Sequence, residues 1–160
     1  MLTRRKTVVS TTASAVEQVV QARLIISTKR SALMRVTLRY RAGDPLAVRM
    51  AFPAEYSLDE TPLDAGTNGP AAPAREVEWV FARQLLSAGL DVPAGIGDVH
   101  IRPALGNRTM VELRAAEGVA LLQFDGPELR RFLWRSFLVV AEGQEHQHLD
   151  ADRALAELLG

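Results

Sequence analysis

The sequence contains no cysteine. That absence excludes thiolate zinc sites, iron–sulfur ligation and cysteine nucleophiles, and it fits a reducing compartment. Long apolar runs are also missing: none approaches the roughly 20 residues needed to span a bilayer. Met1 to Lys6 mimics the charged start of a signal peptide, but Thr7 to Ala15 is too rich in hydroxyls for a secretory hydrophobic segment. The expectation is a flexible tail over residues 1–15 and a cytoplasmic address.

Motifs for chemistry are scarce as well. Gly95-Ile96-Gly97-Asp98 lacks a third glycine and leads into a strand, so no helix N-terminus stands ready for a phosphate. No Gly-x-Ser-x-Gly elbow occurs. Glu145, His146 and His148, with Asp150 and Asp152, form the one metal-like cluster, read as an extended segment; His100 is the only other histidine, and no convincing third ligand presents itself. The reading is no cofactor, no metal and no catalytic residue.

Net charge is absent too, with 19 basic and 19 acidic residues, yet the two signs are segregated. Residues 1–50 carry ten Lys/Arg against two acids, a net of +8, and residues 51–160 carry nine against seventeen, a net of −8. Such polarity suits an anionic partner or head-to-tail self-association, and it also suits a domain whose two faces simply differ.

What is present is the composition of a folded domain, 48% hydrophobic and 24% charged over 160 residues. Residues 16–160 read as a single domain. Val16 to Ile26 is a β-branched run. Met34, Val36, Leu38 and Tyr40 alternate with polar residues, and so do Leu46, Val48, Met50 and Phe52 after the turn Ala42-Gly43-Asp44-Pro45. A period of two on both sides of such a turn is a β-hairpin with one wet face. Residues 53–75 hold proline, glycine and acids and read as a long mobile loop. Beyond it come a strand over Val77 to Phe81, a short helix on Leu85 and Leu86 ended by Gly89 as a left-handed cap, and strands at 98–102, 110–115 and 120–124.

Then the period lengthens. Asp125 caps a helix whose core stripe is Leu129, Phe132, Leu133, Ser136, Phe137 and Val140, ended by Gly143; Asp150 caps a last helix with Ala151, Ala154, Leu155 and Leu158 on one face. The fold class is α+β: an antiparallel, β-rich domain with two C-terminal helices.

Two surfaces stand out. Trp134 and Leu138 fall opposite the core stripe of their helix, as a contact surface for an oligomer or partner, unless a loop or the last helix covers them. In the hairpin, Arg39 falls opposite Arg49 on the wet face, with Arg35 two steps along. Like charges placed so are more comfortable beside an anion, unless the register slips and the face is merely solvated.

Asp44 to Val48, Val77-Glu78-Trp79-Val80-Phe81-Ala82-Arg83-Gln84-Leu85-Leu86 and Pro93-Ala94-Gly95-Ile96-Gly97-Asp98-Val99 resemble the SsgA-like sporulation and cell-division proteins of actinomycetes. Ala120-Leu121-Leu122, Leu129 to Leu133 and Gly143-Gln144-Glu145-His146 extend the resemblance over about residues 20–160. It implies a non-enzymatic regulator of septum placement at division septa, working with other SsgA-like proteins and the tubulin-like division protein FtsZ. It also implies a trimer with a whirly-like fold, similar to single-stranded nucleic-acid and guide-RNA-binding proteins. Nucleic-acid binding is the alternative; against it, Tyr40, Phe52, Trp79 and Phe81 all share the inward phase, leaving no platform for bases.

Overall fold

A computed structural model of the chain describes residues 14–53 and 76–159; the rest of the expected tail and nearly all of the expected loop over 53–75 lie outside the described residues. Seven strands form one antiparallel sheet: β1 (Ala15–Ser27), β2 (Arg30–Arg41), β3 (Ala47–Pro53), β4 (Glu76–Ala82), β5 (Val99–Ala104), β6 (Arg108–Ala115) and β7 (Gly118–Asp125). Their spatial order is β4-β3-β2-β1-β7-β6-β5, so two meanders meet where β1 pairs with β7. The helices are α1 (Arg83–Gly89), α2 (Gly126–Val139) and α3 (Glu145–Leu159).

The alternation read in the sequence fixes which face is dry. Met34, Val36, Leu38 and Tyr40 of β2 and Val48, Met50 and Phe52 of β3 are all buried. They join Val16 and Val20 of β1, Ile101 of β5, Val111 of β6 and Phe124 of β7 in one core. Onto it α2 lays Leu129, Phe132 and Leu133, the stripe expected from its period. β1 meets β7 only from Ala22 to Ile25. Where β1 has left β7, α2 takes over: Gln18 donates through Nε2 to the Glu128 carbonyl at 3.0 Å and accepts at Oε1 from Arg135 at 2.9 Å.

Four local expectations are corrected. Gly89 is not a left-handed cap, since the helix continues through Leu90 in right-handed geometry (φ −70°, ψ −23°). It is small because a Cβ there would stand 2.4 Å from the Ile101 Cβ, so α1 lies directly on β5. Asp125 occupies the N-cap of α2 without a side-chain cap bond; the Gly126 N–H instead donates to the Asn107 carbonyl at 3.0 Å, from the β5–β6 turn. α2 ends at Val139, before Gly143, which takes φ +87° in the turn that follows. α3 starts at Glu145 rather than after Asp150, so His146 and His148 lie in its first turn and not on an extended segment.

Candidate functional site

The junction of β4 with α1 carries a buried arginine held on several sides. Arg83, the first residue of α1, is 1% exposed. Its guanidinium carbon lies 4.6 Å from the centre of the Tyr40 ring and 4.8 Å from that of Phe137, so two aromatic faces sandwich it. Nη1 donates to the Ser136 carbonyl at 3.1 Å, the Ser136 hydroxyl at 3.3 Å and the Val140 carbonyl at 2.7 Å. These carbonyls are the negative end of α2, where a cation is favoured and helical N–H donors run out. Nη2 reaches Glu145 Oε2 at 2.6 Å.

Charge and burial set the titration of this cluster. Burial pushes the Tyr40 phenol up to about 12, against the opposing pull of the Arg83 charge, while its hydroxyl donates to the Pro45 carbonyl at 2.9 Å. Burial alone would raise the Glu145 carboxyl. The Arg83 hydrogen bond and charge, with backbone N–H donors, outweigh it and hold the group below the ordinary carboxylate range. A guanidinium is costly to desolvate; here two rings, three acceptors and one carboxylate offset part of that cost, while Nε is buried without a hydrogen-bond partner among the described residues. The result is a pin joining β2, α1, the end of α2 and the start of α3. Nothing in the local periodicity marks Arg83, a charged residue at a strand end, as buried.

The outer side of α2 is its counterpart. Trp134 is 61% and Leu138 64% exposed, and no described residue covers them. At about 100° per residue they project opposite Ser136, the residue that faces Arg83. Pro127, Arg130 and Arg131 continue the same outward stripe and are exposed. Arg130 is bound to the Leu90 carbonyl and to Asp91 Oδ1, each at 3.0 Å.

Arg39 and Arg49 pair directly across β2 and β3, in the unslipped register. The anions beside them belong to the protein itself. Arg39 stands 3.8 Å from Glu17, 3.4 Å from Glu76 and 3.7 Å from Glu78. Arg49 binds Asp44 at 2.8 Å and Glu78 at 3.1 Å; the Asp44 hydrogen bond, then that of Glu78, makes its guanidinium harder still to deprotonate. Four carboxylates thus surround two guanidinium groups, a local net charge of −2. Arg35 is exposed and makes no ion pair among the described residues. Tyr40, Phe52 and Phe81 are buried, with Trp79 packed against the core. Among the described residues no three His, Asp or Glu side chains converge on a metal-sized site.

Residues 34–145 match the family described as Streptomyces sporulation and cell division protein, SsgA. The chain is 38% identical over 149 residues to the sporulation-specific cell division protein SsgB of Salinispora tropica, covering 91% of this chain and 94% of the relative. It is 36% identical over 140 residues to SsgB of Streptomyces coelicolor, covering 86% and 90%. Two solved structures share the fold. One comes from work linking SsgB mutations to longitudinal cell division during sporulation of Streptomyces coelicolor (TM-score 0.69, 33% identity, 84% and 95% covered). The other is an SsgA-like sporulation-specific cell division protein from Thermobifida fusca (TM-score 0.72, 27% identity, 91% and 97% covered). The Val77–Leu86 and Gly143–His146 stretches that carried the resemblance contain Arg83 and Glu145, the two halves of the buried pin.

Proposed function

The chain belongs to the SsgA family of sporulation and cell division proteins, and from that premise we propose that it is a non-enzymatic regulator of septum placement during sporulation, acting at division septa through protein contacts. The single observation that carries this reading is the outer face of α2. Trp134 and Leu138 are more than half exposed on a helix whose opposite face is locked into the core. A rigid helix that keeps an aromatic residue in water is built for a partner, because tryptophan is among the residues that dominate interface energies.

Two kinds of contact fit that face. One is self-association, for which a trimer is the proposed state. The other is recruitment of FtsZ, alone or with other SsgA-like proteins. No helix among the described residues is long and apolar enough to cross a membrane, so recruitment to a septum would come through such contacts. In the test, purified full-length chain with Trp134→Asp and Leu138→Asp is compared with wild type for FtsZ capture and for rescue of septation in a strain lacking the native copy. The reading expects loss of capture and irregular septa with the fold intact by circular dichroism. Unimpaired capture and normal septation by the folded variant would overturn it.

A further inference from the structure

The hairpin of β1 and β2 is basic, with no acid of its own to balance it. Between Gln18 and Gly43 the chain carries six Lys/Arg and no Asp or Glu. Arg39 is answered by the glutamates around it, but Arg23, Lys29, Arg30 and Arg35 form no ion pair among the described residues. All four are exposed, and Arg23 donates to the Ser31 hydroxyl at 2.9 Å. In a chain whose formal charge is zero, residues 22–36 hold a local excess of +4.

The sheet presents this end of the hairpin to solvent. β2 pairs with β3 only over Thr37–Arg39, and β1 with β7 only over Ala22–Ile25. Ile26 to Ser31 therefore form a two-stranded ribbon closed by the turn Thr28-Lys29, with no third strand on either side, and all six residues are exposed. Ile26 is 52% and Leu33 53% exposed. Arg23 lies directly across the ribbon from Leu33, and Arg35 follows two residues on, on the same face. Two large aliphatic side chains thus stand in water among four cations.

Charge alone would suit any polyanion; the aliphatic pair and the lack of rings choose between them. No aromatic residue occurs from residue 14 to residue 39, so nucleic-acid bases would find nothing here to stack on. An anionic bilayer surface asks for what is present: cations for its phosphates, and aliphatic groups that reach the boundary between headgroups and acyl chains. We propose that the tip of the β1–β2 hairpin is a peripheral membrane contact, in which Arg23, Lys29, Arg30 and Arg35 engage anionic lipid headgroups while Ile26 and Leu33 enter the headgroup layer. Such a hold needs no crossing helix. With four charges and two aliphatic side chains it is weak and reversible, so it concentrates the chain at a membrane surface and leaves the α2 face to protein partners.

The test is sedimentation of the full chain with sucrose-loaded vesicles, made either of phosphatidylcholine alone or of phosphatidylcholine and phosphatidylglycerol in equal parts. Wild type should pellet with the mixed vesicles at low salt and stay in solution with phosphatidylcholine. Each basic residue near an anionic surface is worth about fivefold in affinity, so Lys29→Glu with Arg30→Glu should weaken partitioning by at least about twentyfold. Ile26→Ser with Leu33→Ser should still bind at low salt but release at a lower salt concentration than wild type. These side chains lie in water, so circular dichroism and melting temperature of each variant should match wild type. The Trp134→Asp, Leu138→Asp chain should bind the vesicles as wild type does; its failure to bind would move the lipid contact to α2. Wild type that stays in solution with the mixed vesicles overturns the inference, and so does unchanged binding by the folded Lys29 and Arg30 variant. Vesicle binding abolished by millimolar inorganic phosphate, or an aliphatic variant that matches wild type at every salt concentration, would leave an anion site and no membrane contact. Labelled oligonucleotides held more tightly than the vesicles, and released by the Lys29 and Arg30 changes, would make the ribbon a nucleic-acid arm instead.

Discussion

Arg83 and Glu145 lie 62 residues apart in the chain and meet at 2.6 Å. The pair joins the strand half of the protein to its helical end, and the guanidinium also closes the C-terminus of α2. Removing it should therefore cost more than an ordinary ion pair. Arg83→Ala would take the charged donor from the Val140 carbonyl and the counter-charge from Glu145, and open a gap between Tyr40 and Phe137. The expected loss is about 3–5 kcal/mol, which at roughly 2–4 °C per kcal/mol lowers the melting temperature by about 6–20 °C. Arg83→Met refills the gap and lets the partly exposed Glu145 turn to water, so it should lose less. Thermal melts of the three proteins check this; an alanine variant within about 1 kcal/mol of wild type would refute the pin.

Glu145 predicts a pH dependence. Its folded carboxyl holds a proton less tightly than its unfolded one, so the unfolded state protonates first as pH falls. The contribution of the pair is complete above the ordinary carboxylate range, near pH 4.3, and is lost as pH drops through the lower folded value. The stability gap between wild type and Glu145→Gln should accordingly be widest at neutral pH and shrink below about pH 4. Urea midpoints across that range measure it. A gap that stays constant would mean the carboxylate charge does nothing.

Tyr40 supplies the opposite sign. Burial stabilises its neutral phenol, so its contribution is full below the ordinary tyrosine value near 10 and is lost as pH rises toward about 12. In a Tyr56→Phe background, absorbance at the phenolate band should stay flat through pH 10 and rise only near 12 or with unfolding. Titration at an ordinary value would show that the phenol is open to solvent.

What the sequence made legible follows from periodicity. Even-numbered apolar residues from Met34 to Tyr40 and from Val48 to Phe52 mark the hairpin and its dry face, while a period of two leaves the register open and only the sheet settles Arg39 opposite Arg49. The stripe from Leu129 to Val140 gave α2, and with it the exposure of Trp134 and Leu138. Arg83 was illegible because its burial depends on Tyr40, Phe137 and Glu145, none of them nearby in sequence. The anions around Arg39 and Arg49 were hidden for the same reason: Glu17, Glu76 and Glu78 arrive from β1 and β4, and only the sheet order brings them in. Gly89 looked like a terminator because glycine serves both as a cap and as a close-contact residue, and only the packing on Ile101 tells these apart.

That packing is testable. A Cβ at position 89 would lie 2.4 Å from the Ile101 Cβ and 2.9 Å from its carbonyl oxygen. Gly89→Ala should destabilise by about 1–3 kcal/mol, even though alanine is the better helix former by roughly 1 kcal/mol. Pairing it with Ile101→Ala should cost less than the sum of the two single changes, because the second removes the Ile101 Cγ2 that would stand 2.5 Å from the new Cβ. A double-mutant cycle by denaturant unfolding measures the coupling, and strict additivity would place the constraint elsewhere.

The last prediction concerns Arg35, Arg39 and Arg49, where an external anion and the protein's own acids make different demands. Glu17, Asp44, Glu76 and Glu78 already surround Arg39 and Arg49, and a phosphate backbone would have to displace them against a local excess of negative charge. Single-strand binding also asks for aromatic rings on which bases stack, and the ring residues of β2, β3 and β4 are turned to the core. The triple change Arg35→Gln, Arg39→Gln and Arg49→Gln should therefore act on the fold rather than on a ligand. It leaves four carboxylates without their counter-charges, for a loss of up to about 1 kcal/mol that added salt partly restores by screening their repulsion. Labelled oligonucleotides near physiological salt should show, by fluorescence anisotropy, at most weak binding that falls steeply with salt and differs little between wild type and variant. Sub-micromolar binding by wild type, abolished in the folded triple variant, would make this face a nucleic-acid surface and reverse the argument.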